Sequence, residues 1–340
     1  MTYTAPNLPQ LGLTLFSLTL EMREPDYSLE GMVKKAAELD LGPGIEMVGF
    51  QSLRGWPHLD EPTVKHVRSL IEDNGFIATA MSCNLDLARD RDRWMDEPEG
   101  IEYLEAQIAT AKRLGFPIAK SAIISTESFV RRLAEVCERH QMKFGVELHS
   151  PDSVDSPGIM ELREIFEKID SPWLGWVPDF SSSMHSIPPS LLQAHRESGM
   201  PAELTEFASE VWNSDTTMPE KFAAFAQEAP KLGASPADMG KLHMILTMHG
   251  RMDPRRWAEI MDRTVHVHAK FYGLDEQGNE PSIDHGAIID VLLEAGYNGS
   301  ISSEWEGHAY TDAVSGWDMV RGQQDLMAGL INDRASAQKG

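Results

Sequence analysis

The sequence predicts an α/β protein of (β/α)8 TIM-barrel architecture, with a long helical insertion after the sixth strand. A short apolar or β-branched run followed by an amphipathic stretch recurs eight times. Strict alternation of this kind calls for a parallel sheet covered by helices, and eight units call for closure into a barrel. The first strand is not followed by a G-x-G-x-x-G turn, which argues against an open dinucleotide-binding sheet.

In chain order, strands are expected at 12–18, 45–50, 77–83, 118–124, 143–149, 174–180, 265–271 and 300–305. Helices are expected at 29–39, 63–74, 101–114, 129–140, 160–169, 287–295 and 317–330, each with apolar residues at three- and four-residue steps. Asn74-Gly75, Leu114-Gly115 and Ala295-Gly296 supply the glycine that ends a helix. The rhythm breaks once, where over 80 residues separate Ser181 from Val265. Residues 189–198, 201–212, 219–229, 236–249 and 254–261 read as helices there, most with a proline in the first turn. The whole chain, 1–340, reads as a single barrel domain with 182–262 inserted in it. The insertion leaves the C-terminal end of its strand, where barrel enzymes place their sites, so it is read as a lid, a partner-docking region or both.

Bulk properties exclude several classes. No apolar run approaches the roughly 18 residues of a membrane helix, and Met1-Thr-Tyr-Thr-Ala-Pro6 lacks the features of a secretory signal. Cys83 and Cys137 have no redox or metal spacing and read as reduced core thiols of a cytoplasmic protein. Net charge is −23 and there is no Lys/Arg stripe; the one basic patch, Arg89-Asp-Arg-Asp-Arg93, is interleaved with acids. Nucleic acid and membrane are therefore not expected as partners.

Four short segments carry the chemistry: Gly145-Val-Glu-Leu-His149, Val177-Pro-Asp-Phe-Ser181, His266-Val-His-Ala-Lys270 and Ser302-Ser-Glu-Trp-Glu306. They place Glu147, Asp179, His268 and Glu304 at four successive strand ends. Three carboxylates and one imidazole suit a single hard or borderline divalent ion, Mn²⁺, Mg²⁺ or Co²⁺, better than structural zinc. Strand alternation puts His149 on the face of Glu147, Lys270 and His266 on that of His268, and Glu306 and His308 on that of Glu304. A trinuclear zinc centre would want histidines at the ends of strands two and three. Those ends read Gly49-Phe-Gln51 and Ser82-Cys-Asn84, and His58 lies beyond the first. Trp176 and Trp305 are expected to pack against outer helices, whereas Trp56 and Trp94 fall in βα loops and are candidates for stacking on an aromatic ligand.

The quartet resembles the metal site of the xylose-isomerase-like barrels, the sugar isomerase/epimerase superfamily. A closer resemblance is to the α (large) subunit of bacterial C-glycoside deglycosidases. It rests on Val48-Gly-Phe-Gln-Ser-Leu-Arg-Gly55, Ile169-Asp-Ser-Pro-Trp-Leu-Gly175, Pro178-Asp-Phe-Ser-Ser182, His266-Val-His-Ala-Lys-Phe-Tyr272, Glu280-Pro-Ser-Ile-Asp284 and Ser302-Ser-Glu-Trp-Glu-Gly-His308. Lys120-Ser-Ala-Ile-Ile124 departs from it, since that strand is expected to end in Arg or Gln. The resemblance implies a heteromer with a small β subunit and one bound ion, Mn²⁺ foremost. It also implies a substrate that is a 3-keto C-glucoside of a flavonoid-like plant aromatic. Cleavage would follow C2 proton abstraction and β-elimination. In that scheme His149 is the general base, its unperturbed pKa of about 6.5 lying near working pH; orienting Glu147 is its other reading. Glu306, His308, Lys270 and His185 are then candidates for contacting substrate hydroxyls or returning the proton. The same site also suits an aldose–ketose isomerase or ketose epimerase working through an enediolate, with Glu147 and Glu304 as its pair. A metal-binding barrel without turnover is the third reading.

Overall fold

In the computed structural model residues 7–89, 92–122 and 126–337 are described. The chain runs β1 (Gln10–Thr14), α1 (Leu29–Glu38), β2 (Gly44–Val48), α2 (Gly49–Ser52), α3 (Glu61–Asp73), β3 (Ile77–Ser82), α4 (Glu97–Arg113), β4 (Ile118–Ser121) and α5 (Glu127–His140). It continues with β5 (Lys143–Leu148), α6 (Pro157–Ile169), β6 (Leu174–Pro178), α7 (Pro189–Glu197), α8 (Ala202–Asn213), α9 (Met218–Glu228) and α10 (Pro236–Met248). The last elements are β7 (Val267–Phe271), α11 (His285–Glu294), β8 (Ser300–Trp305) and α12 (Gly316–Ala337).

Local chemistry starts these helices where they start. Ser28, Asp60, Thr126 and Asp284 each accept a backbone N–H of the first turn, and Asp96 with Glu99 forms a reciprocal capping box. Proline occupies the first turn of α6, α7, α9 and α10, where a missing N–H costs nothing. The helices bury apolar stripes such as Phe129, Val130, Leu133 and Cys137 of α5 against the sheet.

The eight strands are parallel, in the order β6-β5-β4-β3-β2-β1-β8-β7. The seam between β6 and β7 closes through isolated bridges, Trp176 to Thr264 and Asp179 to His268. Gly175 permits this approach, because a Cβ there would lie 2.3 Å from the Arg263 carbonyl oxygen. The expected barrel and its helical insertion between β6 and β7 are both present.

Boundaries differ in instructive places. The first strand stops at Thr14, whose hydroxyl accepts the Phe16 N–H and turns Leu15–Leu18 into a 3-10 helix. The end of the second expected strand is instead the short α2, and 254–261 begins as a 3-10 helix, Pro254–Glu259. β4 ends at Ser121; residues 123 and 124 of that expected strand, like 90 and 91 of the basic patch, lie outside the described residues. Trp176 packs on Phe166 of α6, ring centroids 4.8 Å apart, and Trp305 is fully buried. Cys83 and Cys137 are buried free thiols. No helix among the described residues is long and apolar enough to cross a membrane.

Candidate metal centre

The C-terminal ends of β5, β6 and β8 and the second residue of β7 deliver four side chains to one point. Glu147 on β5, Asp179 just past β6, His268 on β7 and Glu304 on β8 each offer a ligand atom, and these atoms all lie within 4.8 Å of one another. The His268 Nδ1 is 2.8 Å from Glu304 Oε2, 3.0 Å from Glu147 Oε1 and 3.8 Å from Asp179 Oδ2. Pro178 ends the β6 ladder, and Asp179 caps the following turn by accepting the Ser181 N–H on Oδ1 at 2.7 Å. Its Oδ2 is left buried with no hydrogen-bond partner, a costly state for a carboxylate oxygen unless a cation completes it.

Glu46, on β2, reaches across the barrel and organises the imidazoles. His266 and His268 both place Nε2 2.9 Å from Glu46 Oε2. Each ring therefore donates its Nε2–H to that carboxylate. In His268 this leaves Nδ1 to face the other three acids, the arrangement in which a second carboxylate fixes a ligand's tautomer. His266 is thus the structural partner of the pair.

Two buried lysines balance the acids. Lys120 Nζ lies 3.1 Å from Glu147 Oε2 and 3.6 Å from Glu46 Oε1. Lys270, brought beside Glu304 by the β7–β8 register, has its Nζ 2.6 Å from Glu306 Oε2, 3.6 Å from Glu304 Oε2 and 3.8 Å from Asp179 Oδ2. Five carboxylates (Glu46, Glu147, Asp179, Glu304 and Glu306) outnumber the two ammonium groups, so the pocket is acidic before any cation enters. This donor set fits a divalent ion.

Protonation follows the same field. Burial opposes charge on His268, yet Glu46, Glu304 and Glu147 outweigh it and hold this pKa well above the usual value. Burial pushes the Asp179 carboxyl up to about 6, although Lys270 pulls it down. Glu147 also pays a burial penalty, but Lys120 and His268 lower it well below the ordinary range.

His149 follows β5 and is half-buried. Its Nδ1 lies 2.5 Å from the Ser150 carbonyl oxygen and its Nε2 2.8 Å from Lys270 Nζ. A carbonyl and an ammonium on opposite sides set the tautomer: Nδ1 carries the proton, and the Nε2 lone pair accepts from Lys270. The Glu147 carboxylate is held by Lys120 and His268. Orienting Glu147, the other reading of His149, is thus carried by those two groups. His308 departs from the expected strand face. β8 stops at Trp305, and His308 rides on the turn Gly307–Ala309 with its ring edge-on to Phe16, centroids 4.9 Å apart. His185 is exposed and lines a separate cavity with Glu280 and His285. Trp56 is engaged elsewhere, its Nε1–H donating to Gln107 at 3.1 Å, and Trp94 is 73 % exposed. Phe16 and Phe50 line the cavity at the mouth, of about 320 Å³, whose charged wall is Glu46, Lys120, Glu147 and Glu304.

Fold and site together define a class, and the comparisons agree with it. Residues 33–323 match the family model of the xylose isomerase-like TIM barrel, and the chain belongs to that family. Within it, the chain belongs with the C-glycoside deglycosidase alpha subunits. It is 37 % identical to the 3'-dehydrocarminate deglycosidase alpha subunit of Microbacterium sp, covering 97 % of each chain. It is 36 % identical to a C-glycoside deglycosidase alpha subunit of Arthrobacter globiformis, covering 95 % of this chain and 93 % of that one. Among solved structures it resembles a sugar phosphate isomerase/epimerase from Parabacteroides distasonis, with a TM-score of 0.57, 13 % identity and 97 % of each chain covered. D-psicose 3-epimerase from Clostridium cellulolyticum aligns with a TM-score of 0.55, 12 % identity and coverage of 95 % and 99 %. At such identities these two structures speak to the fold alone.

Proposed function

We propose that this chain is the α subunit of a metal-dependent C-glycoside deglycosidase, a lyase acting on 3-keto C-glucosides of flavonoid-like plant aromatics. A small β subunit completes the heteromer, and the setting is cytoplasmic. The observation that carries this reading is the convergence of Glu147, Asp179, His268 and Glu304 around one point, beside His149 and Lys270. The relatives support the reaction class: one is named a C-glycoside deglycosidase alpha subunit, and the other a deglycosidase alpha subunit for a 3'-dehydro substrate.

The bond itself dictates the route. An anomeric C–C bond has no leaving-group oxygen to protonate, so the two-carboxylate glycosidase mechanism fails. A ketone at C3 acidifies the C2 proton and places the aglycone, on C1, β to the carbonyl. His149 Nε2, freed from the Lys270 ammonium as substrate enters, takes the C2 proton. The electron pair of that C–H bond becomes the C1–C2 double bond as the bond from C1 to the aglycone breaks. The aglycone carbon then regains a proton, so no water or oxidant is consumed. A divalent ion held by the quartet, Mn²⁺ foremost with Mg²⁺ or Co²⁺ as alternatives, supplies Lewis-acid stabilisation of charge developing on the sugar oxygen. Lys270 bridges His149 and Glu306 and offers the path by which the proton returns, with Glu306 and His308 set to contact substrate hydroxyls. O-glycosides of the same keto sugars are open to the same elimination.

Co-expression with the small β subunit tests this reading. Aglycone release from a 3-keto C-glucoside that stops with chelator and returns with Mn²⁺ supports it. Clean epimerisation of free ketoses by the chain alone would replace it with the enediolate isomerase, and firm metal binding without turnover of any keto sugar would favour a non-catalytic barrel.

A further inference from the structure

A second cavity opens beside the metal centre, walled by the insertion. Its volume is about 420 Å³, within the range that takes drug-sized ligands. Ala237, Gly240 and Met244 of α10 form an exposed rim, and Leu191, Ile245 and Tyr272 line its buried part. The two cavities meet the chain two residues apart: Glu304 lines the polar one at the barrel mouth, and Glu306 lines this apolar one. Lys270, bonded to Glu306 and to His149, lies at that junction.

The polar groups of this cavity are unequally used. Tyr272 donates its hydroxyl to the Met248 carbonyl, and Tyr310 donates its own to that of Tyr272. His249 is 6 % exposed and stands against the Tyr272 ring, centroids 5.1 Å apart. Its Nδ1 lies 3.1 Å from the Ile245 carbonyl oxygen, which fixes the proton on Nδ1. Its Nε2, a bare acceptor, is buried with no hydrogen-bond partner. Burial also takes the His249 pKa down to about 4, which keeps the ring neutral.

We infer that this cavity is the aglycone subsite: it takes a planar aromatic ring system and accepts a phenolic hydroxyl on His249 Nε2, while the sugar occupies the polar cavity at the barrel mouth. This rests on the function proposed above. An apolar slot with a buried idle acceptor recognises a hydroxylated aromatic; of its other polar lining residues, Lys241 donates to Ser198, Glu306 pairs with Lys270, and His195 is half-buried. It also gives the insertion a role as one wall of the binding site.

The test is binding, without turnover, of 5,7-dihydroxyflavone and of unsubstituted flavone to the full chain by calorimetry. Two variants separate the contributions. A Cβ at Gly240 meets nothing within 4 Å, so Gly240→Leu adds bulk at the rim without a clash and removes a helix-weakening glycine. It is expected to weaken both ligands by about tenfold or more. His249→Phe keeps the ring and deletes the acceptor, and is expected to weaken only the dihydroxyflavone, by about tenfold, the worth of one buried hydrogen bond. A wild-type chain that binds neither flavone, a Gly240→Leu chain of wild-type affinity, or equal loss of both ligands in His249→Phe overturns the subsite. The reaction is read separately: the expected binding pattern without cleavage of a 3-keto C-glucoside keeps the subsite and removes the reaction, whereas cleavage with flavone binding insensitive to these variants does the reverse.

Discussion

Single residues decide the chemistry, and His149 is the one whose replacement is most telling. Its lone pair on Nε2 is set by the Ser150 carbonyl and Lys270 rather than by a metal ligand. His149→Ala is therefore expected to retain the bound ion while lowering turnover by about 10²–10⁴-fold, the usual worth of a general base. Metal analysis and aglycone release on the same sample check this; full turnover removes His149 from the proton transfer. Glu46 touches both imidazoles and lies outside the ligand quartet. Glu46→Gln is expected to weaken metal affinity by about 10–100-fold with the quartet intact, measured by competition with a chelating dye. The site also sets a pH dependence. Ligands bind a cation only when deprotonated, and both Asp179, at about 6, and His268 have raised pKa values. A raised pKa means that protons must leave as the ion enters. Affinity is thus expected to fall as pH drops through about 6 and to rise above it, and calorimetry across pH 5–8 reads this directly.

The convergence of Glu147, Asp179 and Glu304 was legible at this scale because each lies at a strand's end; His268, expected there too, is the second residue of β7 and reaches the same point from within its strand. Glu46, Lys120 and His266 were harder to place. Glu46 sits inside Gly44-Ile-Glu-Met-Val48 and Lys120 inside Ile118-Ala-Lys-Ser121, where nothing marks a loop. The signal available was a lone charge within an otherwise apolar strand, which can be buried only if paired. Lys120 even stood out as a departure from the family pattern, and its pairing with Glu147 and Glu46 shows what it does here.

At the scale of elements, strand alternation served until the strand stopped. It placed His266, His268 and Lys270 on one face, and all three reach the central acids. It failed for His308, three residues beyond the last residue of β8, because a 3-10 turn does not alternate. The β6–β7 seam is the element-level weak point. It carries only isolated bridges, one of which joins Asp179 to His268. A Cβ on Gly175 would meet the Arg263 carbonyl at 2.3 Å and Val265 Cγ1 at 2.6 Å. Gly175→Ala is expected to cost about 1–3 kcal/mol by forcing these strands apart, seen as a lower urea midpoint, and to loosen the metal site with it. An unchanged midpoint would mean that the seam yields freely.

For the molecule as a whole, eight βα units in sequence specified a closed barrel, since a parallel strand must be covered on both faces and the eighth must find the first. The insertion was visible as a break in rhythm, but its wall of the apolar cavity was not. That wall pairs α10 with Tyr272 and Tyr310, distant in sequence, and only the folded chain brings them together. The convergence of Glu147, Asp179, His268 and Glu304 directs attention to one ion, and that is where the whole scheme stands or falls. Titration of the metal-stripped chain with Mn²⁺, followed by calorimetry, measures it most directly. One equivalent is expected to bind to the wild-type chain and none with comparable affinity to Asp179→Asn or Glu304→Gln; equal binding by these variants, or none by the wild type, would contradict it.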